Sequence, residues 1–195
     1  MPLDLLILGP QGSGKGTQAK RIEAEYGIPQ ISTGEMFRDA IERRSPLGLE
    51  VEPIYNAGRL IPDGLTIGLI RERLAQEDAR RGFVLDGFPR NLAQAEALDA
   101  LLRELDRDLD VVFEFQVADR ETLIERMLKR AAEESRSDDT PEAIKRRLEL
   151  YDEQTAPLVE YYRSTRGNVV GIHAERPVEQ VFSEIRHVLD DVETR

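Results

Sequence analysis

Leu3-Asp4-Leu5-Leu6-Ile7-Leu8-Gly9-Pro10-Gln11-Gly12-Ser13-Gly14-Lys15-Gly16-Thr17-Gln18 is the stretch that decides the fold. Its first six residues are a short, mostly apolar run that stops at Gly9-Pro10, as a buried strand does. From Thr17 to Tyr26 the pattern is helical, and Gly27 stands where a helix closes. Between strand and helix, Gly-x-x-x-x-Gly-Lys runs from Gly9 to Lys15. That spacing wraps backbone N–H groups around a phosphate chain and aims a helix N-terminus at it. Gly12, Ser13, Gly14, Lys15, Gly16 and Thr17 are therefore the candidate cradle. Lys15 can bridge the outer phosphates, and Thr17 can bring a hydroxyl near Mg²⁺. The strict pattern places Ser or Thr directly after the lysine, whereas here Gly16 intervenes.

The alternation continues along the chain. Ile28 to Ser32 reads as a second strand and Thr33 to Arg44 as a helix, and Ser45-Pro46 starts another helix that ends near Gly58. Asp63 opens a helix that extends to about Arg81. Phe83-Val84-Leu85 is a buried strand ending at Asp86-Gly87, Asn91 to Leu105 is helical, and Val111 to Val117 is a strand. Asp119 caps a helix to about Arg130, and residues 131–139 are polar and break the pattern. Thr140-Pro141-Glu142 starts a helix that runs past Tyr151. Asn168 to Ile172 is the last strand, and Pro177 begins the last helix. Strands alternating with helices predict an α/β layer fold with a mainly parallel sheet. Ligands of such sheets bind beyond the carboxyl ends of the strands.

Composition narrows the function. A chain of 195 residues suits one domain. A net charge of −11 argues against a nucleic-acid or anionic-membrane surface, which needs a basic footprint. The absence of cysteine excludes disulfides and thiolate metal sites. With His173 and His187 as the only histidines, a His-rich metal site or a Ser-His-Asp triad has little to build on. No apolar run approaches the ~18–20 residues of a membrane span, and the N-terminus lacks a basic region and cleavage signature. A soluble cytoplasmic protein is expected. Of the 27 basic residues only four are lysine. Compositional bias accounts for most of the arginines, so their positions matter more than their number.

Two more strand ends carry polar motifs. In Ile31-Ser32-Thr33-Gly34-Glu35-Met36-Phe37-Arg38, Thr33 can cap the helix and offer a hydroxyl, and Arg38 can fork onto a phosphate. Taken alone, the same residues also fit an ordinary N-cap and a surface arginine. In Phe83-Val84-Leu85-Asp86-Gly87-Phe88-Pro89-Arg90-Asn91, Asp86 is placed to hold the hydration shell of Mg²⁺, and Arg90 points into the same crevice. A turn cap is the other reading of Asp86.

Gly14-Lys15-Gly16-Thr17-Gln18, followed at this distance by Asp86-Gly87-Phe88-Pro89-Arg90, resembles the adenylate kinase family of nucleoside monophosphate kinases, from Leu5 to about Pro177. The resemblance implies a three-layer α/β/α P-loop NTPase fold with a mainly five-stranded parallel sheet. It implies one domain over 1–195, with a core of 1–31, 62–129 and 137–195. A small helical monophosphate-binding insert at 32–61 and a very short lid loop at about 130–136 complete it. The implied activity is reversible, Mg²⁺-dependent phosphoryl transfer between ATP and AMP, serving adenine nucleotide balance. A UMP or CMP kinase on the same scaffold and a nucleotide-binding regulator without catalysis are the alternatives.

The resemblance also implies roles for residues of this chain. Thr33, Arg38, Arg59, Leu60, Ile61, Gly87, Arg90 and Gln94 form the AMP site. Gln94 is an amide that can match the adenine edge, or an exposed helix residue. Family members that prefer UMP or CMP commonly carry Ala where Thr33 stands. Arg126 and Arg130 lie four apart on one helix face and belong to the ATP side, with Arg176 near the ATP base. Arg136 and Arg147 surround the transferred and acceptor phosphates, oriented by Asp138 and Asp139. Lys15, Arg90, Arg126, Arg136 and Arg147 neutralise charge, and Asp86 with Thr17 holds hydrated Mg²⁺. Longer members carry a lid domain, sometimes with a zinc site. Here only Ala131 to Ser135 separate Arg130 from Arg136. Five residues span at most about 18 Å, enough for a loop but not a domain, and no structural zinc is expected. The expected ligands are ATP, AMP and ADP, on a monomer.

Overall fold

The computed structural model describes residues 2–134, 136 and 138–194. Met1, Ser137 and Arg195 of the expected core and Ser135 of the expected lid lie outside the described residues. Five strands, β1 (Leu3–Leu8), β2 (Gln30–Ser32), β3 (Gly82–Asp86), β4 (Val111–Gln116) and β5 (Val169–His173), form one sheet in the order β2-β3-β1-β4-β5. Every pairing in it is parallel. β1 and β3 are buried along their whole length, as strands covered on both faces must be.

Side chains alternate across the strands and feed two cores. Leu6, Leu8 and Leu85 face one side, where they meet α4 (Asp63–Leu74), α5 (Leu92–Glu104) and α8 (Pro157–Thr165) through Ile70, Leu98 and Tyr162. Leu5, Ile7, Val84 and Phe113 face the other, against α1 (Lys15–Tyr26) and α9 (Val178–Glu193) through Ile22, Ile185 and Leu189. The result is the three-layer α/β/α arrangement. Asp4 interrupts the apolar run of β1 and is buried. Arg107 pairs with it from beyond α5 and also lies 4.8 Å over the Phe83 ring. Burial raises the Asp4 carboxyl above its usual range, and Arg107 opposes that rise.

Between β2 and α4 the chain forms α2 (Thr33–Glu42) and α3 (Pro46–Asn56), capped by Ser32 and Ser45. They carry a core of their own, Phe37, Val51, Tyr55 and Ile61. A Cβ on Gly48 would come within 2.0 Å of the Ala40 carbonyl oxygen, so these two helix backbones touch. A fourth cluster, Leu123, Met127, Ile144 and Leu148, joins α6 (Arg120–Glu134) to α7 (Pro141–Leu150).

Three boundaries depart furthest from the sequence expectation. α6 continues to Glu134 rather than stopping near Arg130, so residues 130–134 are helical where a loop was expected. Ala131-Ala132-Glu133-Glu134 has no large apolar residue to continue the pattern, but every member is a good helix former. The helix opened at Asp63 ends at Leu74, and a 3₁₀ turn covers Glu77–Arg81. The helix running past Tyr151 gives way to a π turn at Tyr151–Thr155, and Pro157, which has no N–H to donate, starts α8. No helix among the described residues is long and apolar enough to cross a membrane.

Candidate active site

The register of the sheet assembles the site. Ile7 pairs with Asp86, and Ser32 also pairs with Asp86, so the loops leaving β1, β2 and β3 start side by side at one end of the sheet. Above them lies a cleft of about 960 Å³ that reaches from α6 and α9 to α2 and α3.

One wall is the loop after β1. Gly14 precedes α1 with φ 91°, makes no side-chain cap, and is followed by no acidic residue in the first turn. The helices α2, α3 and α7 each have a serine or threonine cap instead. The first N–H groups of α1 are thus left for an anion from outside. Gly12 adopts φ +84°, and a Cβ there would come within 2.8 Å of the Leu123 carbonyl oxygen of α6. Loop and α6 therefore touch backbone to backbone. Lys15 Nζ donates to the carbonyls of Gly9 at 2.7 Å and Pro10 at 2.9 Å. Its pKa is lowered to about 8, chiefly by burial, with the charges of Arg90 and Arg130 adding to the shift and Asp86 opposing it. A bound triphosphate would raise it again. We expect ATP binding at pH 8 to take up about half a proton, because free Lys15 is half charged there and ATP phosphates are already ionised. Calorimetry in buffers of different ionisation enthalpy checks this. Lys15→Arg should abolish the uptake, and a wild-type heat independent of buffer would refute the assignment.

The opposite wall holds the second set. Sequence reasoning let Thr33 cap the helix and offer a hydroxyl. Ser32 takes that place, its oxygen accepting from Glu35 N–H, because Thr33 already begins the helix. The Thr33 hydroxyl instead donates to the Gly87 carbonyl at 2.8 Å, tying α2 to the loop after β3. Arg90 Nε donates to the same carbonyl at 2.7 Å. Arg38 donates to the Tyr55 hydroxyl at 2.7 Å, and Arg59, Leu60 and Ile61 line the cleft just beyond α3. Gln94 is buried rather than exposed. Asp86 ends β3, with one carboxylate oxygen 3.5 Å from where a Gly16 Cβ would stand. Its carboxylate makes no ion pair or hydrogen bond among the described residues, and it feels the charges of Lys15 and Arg90. A free carboxylate beside the Thr17 turn fits a hydrated Mg²⁺, a hard cation that keeps most of its waters.

Arginines close the space between the walls. Arg147 is buried in α7 and pairs with Asp139 at 2.6 Å and Asp138 at 2.7 Å. Asp139 also accepts two hydrogen bonds from Arg130, at 2.9 and 2.6 Å. Arg126 reaches the carbonyls of Gly12 at 3.4 Å and Ala174 at 3.3 Å, bridging the loop after β1 and the segment after β5. Arg136 lines the cleft and pairs with Glu134, and Arg176 lines it from the β5 side while paired with Glu184. The cations converge in a chain of net charge −11, so the cleft reverses the sign of the molecule locally.

Every residue singled out for catalysis or nucleotide binding lines this one cleft, while Asp138 and Asp139 brace its arginines. Three others were missed. Tyr55 sits on the buried face of α3, where its spacing from Val51 reads as core. Thr155, in the π turn, donates to the Arg90 carbonyl at 2.7 Å. Asp63 reads only as a helix start, yet it accepts from Gln94 and Asn91. Their roles depend on contacts far along the chain.

The chain matches the family described as adenylate kinase over residues 7–167. It is 46% identical over 188 residues to the adenylate kinase of Cyanothece sp., covering 96% of this chain and 95% of that protein. It is 48% identical over 181 residues to the adenylate kinase of Bifidobacterium longum, covering 93% of this chain and 96% of that protein. Against the adenylate kinase of Leifsonia xyli subsp. xyli the identity is 49% over 181 residues, covering 93% of this chain and 90% of that protein.

Proposed function

The chain belongs to the adenylate kinase family, and from that premise we infer how its own residues carry out the transfer. It is a nucleoside monophosphate kinase acting as an adenylate kinase, converting ATP and AMP into two molecules of ADP. The observation that carries the mechanism is that the phosphate loop and the Gly87–Arg90 loop face one cleft with arginines between them.

The acceptor is a phosphate monoester with a pKa of about 6, so it is already an anion near neutral pH. No general base is needed, and the work is positioning and charge stabilisation. Gly12 to Thr17 hold the triphosphate through backbone N–H groups. Lys15 stabilises charge on the outer phosphates. Arg126 and Arg130 fix the ATP side, with Arg176 at the base. Thr33, Arg38, Arg59, Leu60, Ile61 and Gly87 hold AMP, and Gln94 meets its base. Arg90, Arg136 and Arg147 converge where the phosphoryl group crosses. Asp86, with the Thr17 hydroxyl, would hold Mg²⁺ through water, and the ion when bound neutralises charge on the phosphate oxygens. The insert 32–61 and the short segment 130–136 move over the nucleotides and exclude water, the competing acceptor.

A coupled assay for ADP formed from MgATP, with AMP, CMP and UMP tested separately, decides the acceptor. Turnover with AMP far above the others is expected. A pyrimidine preference would overturn the base assignment and leave the phosphate site standing.

A further inference from the structure

Gln94 is held at both ends of its amide. Its Oε1 accepts from the Arg90 backbone N–H at 2.8 Å, and its Nε2 donates to Asp63 Oδ1 at 2.8 Å. Neither bond survives a reversal of the amide, since a backbone N–H meets only an oxygen and an ionised carboxylate only a donor. Asn91 shares the arrangement. Its Oδ1 accepts from Gln94 N–H at 2.9 Å while its Nδ2 donates to the same Asp63 oxygen at 2.9 Å. Asp63 is the first residue of α4 and is not among the residues that line the cleft.

We propose that Asp63 is the positioning residue that makes the base site select amino bases over oxo bases, by locking the orientation of the Gln94 amide. The inference rests on the reading that Gln94 faces the acceptor base. An amide so locked has one N–H and one oxygen lone pair left to offer. Adenine presents the complement, a ring-nitrogen acceptor beside an exocyclic amino donor. Cytosine presents the same pair. Hypoxanthine and uracil present the reverse, an N–H donor beside a carbonyl. To receive them, Gln94 must turn over, which sets its oxygen against the Asp63 carboxylate and its NH₂ against the Arg90 N–H. Discrimination therefore comes from a repulsive contact behind the site as much as from attraction within it.

The test is kcat/KM with MgATP for AMP, IMP, CMP and UMP in wild type, Asp63→Ala, Gln94→Ala and the double variant. Asp63→Ala should lower the AMP:IMP and CMP:UMP ratios each about tenfold, the scale of one donor or acceptor conflict. The AMP:CMP ratio and the KM for MgATP should hold, since neither depends on the orientation of the amide. Asp63→Asn, which retains an acceptor oxygen, should recover most of the preference. Asp63→Leu, filling the space without an acceptor, replaces Asp63→Ala if that variant does not fold. The double variant should match Gln94→Ala alone, because one effect acts through the other. If Asp63→Ala changes all four acceptors alike, or none, while Gln94→Ala collapses the AMP:IMP ratio, the lock is wrong and the Gln94 reading stands. If Gln94→Ala leaves that ratio unchanged, both fall.

Discussion

Lys15→Met should lower kcat about a thousandfold without lowering the thermal midpoint. The rate loss is the upper range for removing one preorganised electrostatic contact to a transition state. Lys15 is also a lysine whose place in the molecule is unfavourable to its own charge, with a pKa lowered to about 8 chiefly by burial. A lysine with a lowered folded pKa binds fewer protons folded than unfolded between that value and its ordinary one. Its penalty on stability is therefore full below about pH 8 and fades as pH rises toward 10.5. At pH 7 the Met variant escapes the penalty and loses only the bonds to Gly9 and Pro10. Its unfolding midpoint should be equal to wild type or higher, the exchange of stability for activity expected at a functional site. Steady-state rates beside a thermal melt check both halves. Near wild-type turnover removes Lys15 from the mechanism, and a lower midpoint shows that the lysine supports the loop.

Local chemistry was the readable part of this molecule. The strand, the glycine spacing and the helix around Gly9 to Gln18 are neighbours in sequence, so the phosphate loop could be read directly. Asp86 was readable because a carboxylate ends a buried strand, and the parallel register then sets Asp86 beside Ile7. Reading by polarity failed at Ala131–Glu134, where helix propensity continues α6. It failed also at Thr33, because Ser32 one place earlier has the extended backbone a cap requires. The missed residues share a cause. Asp63 bonds to Gln94 thirty-one positions away and Thr155 to Arg90 sixty-five away. Such pairings come from the packing of α4, α5 and the π turn, and no spacing in the chain announces them.

Asp139→Ala should be the most destabilising single change at the site. The Asp139 side chain is fully buried and takes hydrogen bonds from Arg130 at 2.9 and 2.6 Å and from Arg147 at 2.6 Å. Breaking a buried ion pair from one side costs about 3–5 kcal/mol, because the cation left behind stays desolvated. Arg130 is partly exposed and can turn to water, and Arg147 keeps Asp138 at 2.7 Å, so the lower end, about 3 kcal/mol, is expected. Asp138→Ala removes one bond to one arginine and leaves Asp139 holding both, so its cost should be clearly smaller. Activity should follow the same order. Asp139 ties Arg130 of α6 to Arg147 of α7, and a misplacement of about 1 Å costs about a hundredfold in rate. Urea unfolding and kcat for the two variants give the comparison. Equal losses would mean that Asp138 and Asp139 brace Arg147 interchangeably. Asp139→Ala with wild-type turnover would mean that Arg130 and Arg147 find their places without a shared carboxylate.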